Sequence, residues 1–224
     1  MNKKLDNHVL IMAAGRGLRM MPLTNRIPKA MAPFKGSTLI ASRIKKMHKL
    51  FNNVHVTVGY KGALLASHVI DLKVNSVFNT NNKGNAWWLF NTLMKNINGP
   101  VFVLTCDNIF DIDFNKILNE YYLLKSPACM IVPVKPIKSL EGDFIFYNSR
   151  NTITKISRST KSNIYCSGIQ ILNPFKINNI IKPKEKFNLV WKQLITKKQI
   201  KRSNLILDNW YAVDNLKQLK IINN

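Results

Sequence analysis

Acidic side chains are scarce in this sequence: 11 Asp and Glu stand against 34 Lys and Arg among 224 residues, a formal charge of +23. Such a field draws in anions, whether nucleotides, phosphorylated metabolites or nucleic acid. The lysines are scattered, and Lys, Asn and Ile abound throughout, so composition bias accounts for much of the excess; dispersed charge is a weak nucleic-acid signal. The densest basic segment, Lys182–Arg202, spaces Phe187, Val190, Trp191, Leu194 and Ile195 as one helix face, which predicts an apolar inner side and a solvated lysine side. Cysteine is rare too. Cys106, Cys129 and Cys166 lie far apart with no CxxC pair, which indicates neither a zinc site nor a disulfide framework. No apolar run approaches the roughly 20 residues of a membrane span, and "VLIMAA" is too short for a signal h-region. The expectation is a soluble, cytoplasmic protein.

What is present is an alternation of strand-like and helix-like segments. "HVLIMA" (8–13), "NVHVTVGY" (53–60), "NSVFN", "PVFVLTCD" and "ACMIVPV" have β character. Between them, the stretch from Ser37 (with Ser37 as its cap), residues 63–70, "NAWWLFNTLMKN" and "FNKILNEYYLLK" have helical periodicity. Helices between strands predict βαβ units and a mostly parallel, Rossmann-like sheet flanked by helices. Beyond residue 136 the pattern changes to short strands ("GDFIFYN", "TITKIS", "NIYCSGIQIL") and a last helix after "NWYAVDN", which predicts a small antiparallel extension. The reading is a single domain, 1–224, with a nucleotide-binding half (1–135) and an acceptor-binding half (136–224).

In open sheets of this kind ligands sit beyond the carboxyl ends of the strands. There the chain places "IMAAGRGLRMMPLTNRIPKAMAPF", a loop with too few large apolar groups to exist for packing. Gly15 and Gly17 let backbone N–H groups approach an anion closely. Arg19 and Lys29 add two fixed cations. The Rossmann fingerprint fails, because Met20 stands at its third glycine, and the GKS or GKT of a P-loop is missing. Asp107 ends an apolar strand and is the first candidate ligand for a hard cation. Asp113 reads as the N-cap of the helix that follows it; Asp111 has no assignment. The histidines (His8, His48, His55, His68) carry no motif and read as core or surface residues.

The run "AAGRGLRMMPLTNRIPKAMAPF" resembles the signature loop of the nucleotidylyltransferases that make nucleotide sugars, G-x-G-x-R-[LM]-x-P-L-T followed by P-K. The similarity continues through "VGY", "LTCDNIFDID", "GDF", "SGIQILNP" and the Trp-containing strand before the last helix. The length is similar to that of compact members such as N-acetylmuramate-1-phosphate uridylyltransferases and heptose-1-phosphate guanylyltransferases. The resemblance implies a magnesium-dependent enzyme that joins the nucleotidyl group of an NTP to a sugar 1-phosphate, releases pyrophosphate, and serves cell-envelope or capsule synthesis. In-line attack at the α-phosphorus brings two polyanions together, so positioning and charge neutralisation dominate. The family pattern puts Arg19 on the β,γ-phosphates, Lys29 at the α-phosphate, and Ala13, Ala14, Gly15, Arg16, Gly17, Asn79 and Asn85 around the nucleotide. Asp107 falls on the metal ligand.

Departures from the pattern bear on the acceptor. "WYAVDN" has Ala212 where sugar-type members carry an acid, with Asp214 two residues later, as in phosphocholine cytidylyltransferases; Asp214 is either the second metal ligand or the cap of the last helix. "KGNAWWLF" replaces a glycine-rich turn. Trp87 and Trp88, about 100° apart on a helix, cannot both fill one site. The lysine of an E-K-P motif falls on Ser159. Trp87, Gly142, Asp143, Arg158 and Gly168 are the acceptor-side candidates. Three alternatives stay open: a cytidylyltransferase for a phospho-alcohol such as phosphocholine, an inactive nucleotide-binding relative, and a basic nucleic-acid-binding protein. No recognition motif or aromatic-interleaved basic stripe supports the last, so no nucleic-acid partner is expected.

Overall fold

In the computed structural model, residues 4–137 and 142–223 are described. The first part of the chain runs through β1 (Leu5–Met12), α1 (Leu39–Leu50), β2 (Phe51–Val58), α2 (Gly62–Ile70), β3 (Ser76–Asn79) and β4 (Val101–Thr105). Then come α3 (Phe114–Leu123), β5 (Cys129–Val134), β6 (Phe144–Tyr147), β7 (Ile153–Ser157) and β8 (Tyr165–Leu172). The last elements are α4 (Pro174–Ile180), α5 (Phe187–Thr196), β9 (Ile200–Arg202), β10 (Trp210–Ala212) and α6 (Leu216–Asn223). The α/β class with a mostly parallel, helix-flanked sheet is the one the sequence pattern predicts. The chain divides into two compact units that cut across its linear order. One holds Met1–Asn85, Leu104–Asn108 and Ala212–Asn224; the other holds Ala86–Val103 and Ile109–Tyr211.

The first unit is built on parallel pairing, β1 with β2 and β2 with β3; β4, whose last residues belong to this unit, lies on the other side of β1. Val9, Leu10 and Ile11 are consecutive and all fully buried. That is what a strand covered on both faces requires, and why its sequence is an unbroken apolar run. Helix α1 lays Leu39, Ile40, Ile44 and Met47 against this sheet and α2 adds Leu65 and Val69, all buried. Each such side chain contributes about 1.5–3 kcal/mol by leaving water. The cap of α1 is Thr38 and not Ser37: its hydroxyl accepts from the Ala41 N–H at 3.1 Å, while Ser37 pairs with Phe34 in a two-residue hairpin strand.

The second unit carries the antiparallel extension. β8 runs antiparallel to β5 and pairs at its start with β6, which is antiparallel to β7; β9 joins β5 in parallel. Register shifts between Cys166 and Ile169, where Gly168 sits at φ +80°, so a bulge needing a left-handed residue accounts for that glycine. Asp113 caps α3, accepting from the N–H groups of Asn115 and Lys116. Helix α5 buries Phe187, Val190 and Leu194 as its spacing predicts. The expected helix over "NAWWLFNTLMKN" is broken: an α-turn spans Trp88–Asn91 and a 3₁₀ turn Leu93–Asn96. Between them Thr92 is extended, and its hydroxyl donates to the Trp88 carbonyl and accepts from the Met94 N–H. A local hydroxyl–backbone bond has displaced the helical one. Trp88 is the tryptophan of the pair that enters the core, and Trp87 is half-buried.

One polar chain crosses the first sheet. His8 Nδ1 lies 2.9 Å from His55 Nε2, and His55 Nδ1 lies 2.6 Å from Ser76 Oγ. Burial, then the neighbouring His8, pushes His55 down to about 4; burial also lowers His8. A histidine neutral in the fold but protonated near pH 6.5 when unfolded stabilises the fold fully above that pH and loses the contribution as pH falls toward 4. Urea midpoints should therefore drop between pH 7 and pH 5, with up to about 3 kcal/mol at stake across the full window. His55→Gln should flatten that slope, and equal slopes in the two proteins would refute a neutral buried His55. On helix α1, Thr38→Ala should cost about 1 kcal/mol in the same assay and Ser37→Ala much less; the reverse order would restore Ser37 as the cap.

Candidate active site

Four charged side chains of the first unit meet in one cluster. The Lys29 ammonium donates to Asp107 Oδ2 at 2.5 Å and to Asp214 Oδ1 at 2.9 Å, and Arg19 Nη2 lies 3.2 Å from the same Asp214 oxygen. Local structure places each member. Lys29 opens a 3₁₀ turn behind Pro28, whose fixed φ suits the position before a helical turn. Asp107 lies two residues past the end of β4, on a turn held by Cys106 N–H donating to the Met12 carbonyl. Asp214 follows β10, and the Val213 N–H donates to the Asp107 carbonyl at 3.0 Å, which brings the two acidic residues side by side. Asp214 is free for this because Asn215 does the capping. Asn215 Oδ1 accepts from the Gln218 N–H and Gln218 Oε1 accepts from the Asn215 N–H, a reciprocal capping box. Ala212, the departure from the sugar-type pattern, is buried in its strand.

Lys29 is 11% exposed, Asp107 22%, Asp214 24% and Arg19 63%. Burial alone would lower the Lys29 pKa, but Asp107 and then Asp214 outweigh it and raise it, so the ammonium stays charged at neutral pH. Behind the Asp107 turn, Arg43 of α1 is buried and donates to the Asn108 carbonyl. Its desolvation lowers its pKa to about 10, opposed by Cys106 and Asp107, which leaves it a cation. Cys106 itself is pushed up to about 12, chiefly by burial and then by Asp107, and is no nucleophile. Arg43 was not among the residues singled out from sequence. The signal was there, an arginine four positions after Leu39 on an otherwise apolar helix stripe.

Beside the cluster opens a pocket of about 510 Å³ lined by Ala13, Ala14, Gly15, Arg16, Lys29 and Asp107, together with Thr57, Tyr60, Asn81, Lys83 and Asn85. The loop glycines differ in what they answer to. A Cβ on Gly17 would meet Lys29 Cβ at 2.7 Å, and its φ is +67°, so Gly17 exists to let the Lys29 stem pass. A Cβ on Gly15 would meet nothing within 4 Å. The Ala13 N–H is already used, donating to Thr57, and the Ala14 carbonyl accepts from Tyr60. Among the described residues, the N–H groups of Gly15, Arg16 and Gly17 donate to no protein acceptor. Consecutive uncommitted N–H groups on a loop form a concavity suited to an anion. Arg16 rests 5.2 Å from the centre of the Tyr60 ring, with Lys61 at 5.6 Å from the same ring.

The other sequence candidates lie elsewhere. Asn79 does not line the pocket; its amide oxygen accepts from the Asn81 N–H in the turn after β3. Trp87, Gly142, Asp143, Arg158 and Gly168 all belong to the second unit. There Arg158 Nε pairs with Asp143 at 2.8 Å. A Cβ on Gly142 would strike the Tyr165 ring at 2.7 Å, so packing on that ring suffices to demand glycine there. Glu141, next to it, lies outside the described residues. Among the described residues no three His, Cys, Asp or Glu side chains gather as a metal cage. Two carboxylates converging on one point do fit a hard cation that takes its remaining oxygens from phosphate and water.

A family model described as Nucleotidyl transferase matches residues 8–142. The bifunctional protein GlmU of Methanococcus aeolicus is 28% identical over 204 residues, 88% of this chain and 47% of that protein. GlmU of Methanocaldococcus jannaschii is 24% identical over 164 residues, 71% of this chain and 38% of that protein. The chain thus spans at most about half the length of these relatives. Among solved structures, the inositol-1-phosphate CTP transferase of T. maritima matches with a TM-score of 0.77 at 18% identity, covering 98% of this chain and 95% of that one. CTP:phosphocholine cytidylyltransferase from Streptococcus pneumoniae matches with a TM-score of 0.75 at 18% identity, covering 98% of both chains. These structural likenesses establish the fold. The family model covers more than half of the sequence and includes the whole glycine-rich loop, Lys29 and Asp107, and the chain belongs to the nucleotidyl transferase family.

Proposed function

We propose that this protein transfers a nucleotidyl group from an NTP to a sugar 1-phosphate with the help of Mg²⁺, giving a nucleotide sugar and pyrophosphate. The observation that carries this is the Arg19–Asp214–Lys29–Asp107 cluster bordering a pocket whose loop offers uncommitted backbone N–H groups. In this reading the Gly15–Gly17 amides and Arg16 hold the phosphate chain. Lys29 stands where negative charge builds up at the α-phosphate, and Arg19, the most exposed of the four, meets the β,γ-phosphates that leave. Asp107 and Asp214 would hold the Mg²⁺, which supplies charge neutralisation for the polyphosphate. An attacking phosphate oxygen of the acceptor is held in line opposite the pyrophosphate, and most of the rate comes from that alignment and from fixed charge. In the same reading Asn81 and Asn85, which line the pocket, read a base edge, since an amide both donates and accepts.

A second reading of the acceptor has one observation in its favour. The second carboxylate comes from Asp214, two residues after the buried Ala212, the spacing that resembles phosphocholine cytidylyltransferases. A phospho-alcohol acceptor is therefore the alternative substrate class. The inactive reading rested on Ala212, and the contact of Asp214 with Lys29 beside Asp107 weakens it.

Pyrophosphate release with Mg²⁺, each of four NTPs, and a panel of sugar 1-phosphates plus phosphocholine tests both readings. Turnover with one pair is the expected result; silence across the panel with no NTP bound would remove the proposal. In the active pair, Asp107→Asn and Asp214→Asn should each lower kcat by at least about 100-fold, the scale of losing a charge that stabilises the transition state. If Asp214→Asn left kcat unchanged, the second carboxylate would lie elsewhere. The two glycines should part company. Gly15→Ala should keep the melting temperature of the parent and raise KM for the NTP, because its added methyl projects into open space. Gly17→Ala should lower the melting temperature as well as kcat, because the methyl meets the Lys29 stem; equal behaviour of the two variants would contradict that division.

A further inference from the structure

Resting on that reading of the site, we infer that Lys29 is the built-in counter-ion of the Asp107–Asp214 pair, which a divalent cation must displace, so that metal and polyphosphate enter together. The geometry is specific. One ammonium contacts one oxygen of each carboxylate, at 2.5 and 2.9 Å, and so occupies the point on which the two acids converge. Of the two carboxylates, Arg19 pairs with Asp214 alone.

Charge counting gives the coupling. Asp107 and Asp214 contribute two negative charges, and Lys29 with Arg19 contributes two positive ones, so the cluster is neutral as it stands. A lone divalent ion entering it would leave an excess of two positive charges, with Arg43 buried behind the Asp107 turn as one more cation. It would also leave the largely buried Lys29 ammonium without its partners, and an unpaired charge in such a place is costly. A phosphate chain arriving on the Gly15–Gly17 loop changes both terms. Its negative charge takes Lys29 and Arg19 off the carboxylates, and the freed oxygens then accept the metal. By linkage the enhancement is reciprocal: polyphosphate tightens metal binding by the factor by which metal tightens polyphosphate binding. Lys29 therefore does two jobs at different moments, neutralising carboxylates in the empty site and a phosphate in the filled one.

The test reads metal binding without nucleotide. Mn²⁺, which shares the preference for oxygen ligands, is titrated into the whole protein, and the free aquo ion is counted by electron paramagnetic resonance. Wild type should bind Mn²⁺ weakly. Lys29→Met should bind it at least tenfold more tightly, with Lys29→Gln as a second variant in case one of them melts early. Arg19→Met, which also removes one positive charge from Asp214 but leaves the shared position filled, should change the affinity by no more than about twofold. Equal tightening by Arg19→Met and Lys29→Met would reduce the effect to bulk charge and overturn the inference. So would unchanged affinity, or no Mn²⁺ binding, in both folded Lys29 variants. Because no nucleotide takes part, failure of the NTP panel would sink the proposed reaction and leave this result readable by itself.

Discussion

The contact on which the site depends is the double bridge from the Lys29 ammonium to Asp107 and Asp214. It joins a loop after the first strand, a turn after the fourth and the approach to the last helix, three segments separated by 78 and 107 positions along the chain. A neutralised pair of carboxylates is what allows two mostly buried acids to sit together, where either one unpaired would be expensive. Much nearby detail serves the same contact. Gly17 makes room for the lysine stem, Pro28 leads into its turn, the Val213–Asp107 backbone bond sets the two acids side by side, and the Asn215–Gln218 box releases Asp214 from capping duty.

The net charge of the protein and the charge of this cluster have different origins. Only 11 acidic side chains exist in the chain, yet two of them meet at one point. The surrounding excess of lysine raises the local concentration of anions without selecting among them. Under the proposed function, selection falls to fixed groups: the uncommitted loop amides and the charge cluster of Lys29, Arg19, Asp107 and Asp214.

Much of this was legible in the sequence, for identifiable reasons. Strands covered on both faces are unbroken apolar runs, so β1 and β4 announced themselves, and with them the carboxyl-end positions of the glycine-rich loop and Asp107. Alternation of helix and strand carried the parallel sheet. What escaped was decided by single contacts between residues distant in sequence or by local competition. That Asn215 rather than Asp214 caps the last helix was decided by Asn215 and Gln218 forming their own box. Thr92 broke the tryptophan helix through one hydroxyl. Thr38 displaced Ser37 as cap because the preceding serine was already committed to a hairpin. Gly142, an acceptor-side candidate by type, packs against the ring of Tyr165, a contact no sequence pattern announces. A glycine says that something comes close, and only the fold says what.

The thiols have a practical consequence. Cys106 is shifted to about 12, and Cys129 and Cys166 are raised as well, all by burial first. Since the thiolate is the reactive form, the buried Cys106 and Cys129 are poor targets for alkylating probes in the fold, and the partly buried Cys166 is the native thiol to replace first. A reporter thiol at the exposed Leu18 of the glycine-rich loop would then carry a spin label or fluorophore with a single native cysteine removed. The loop would thereby be open to direct distance measurement.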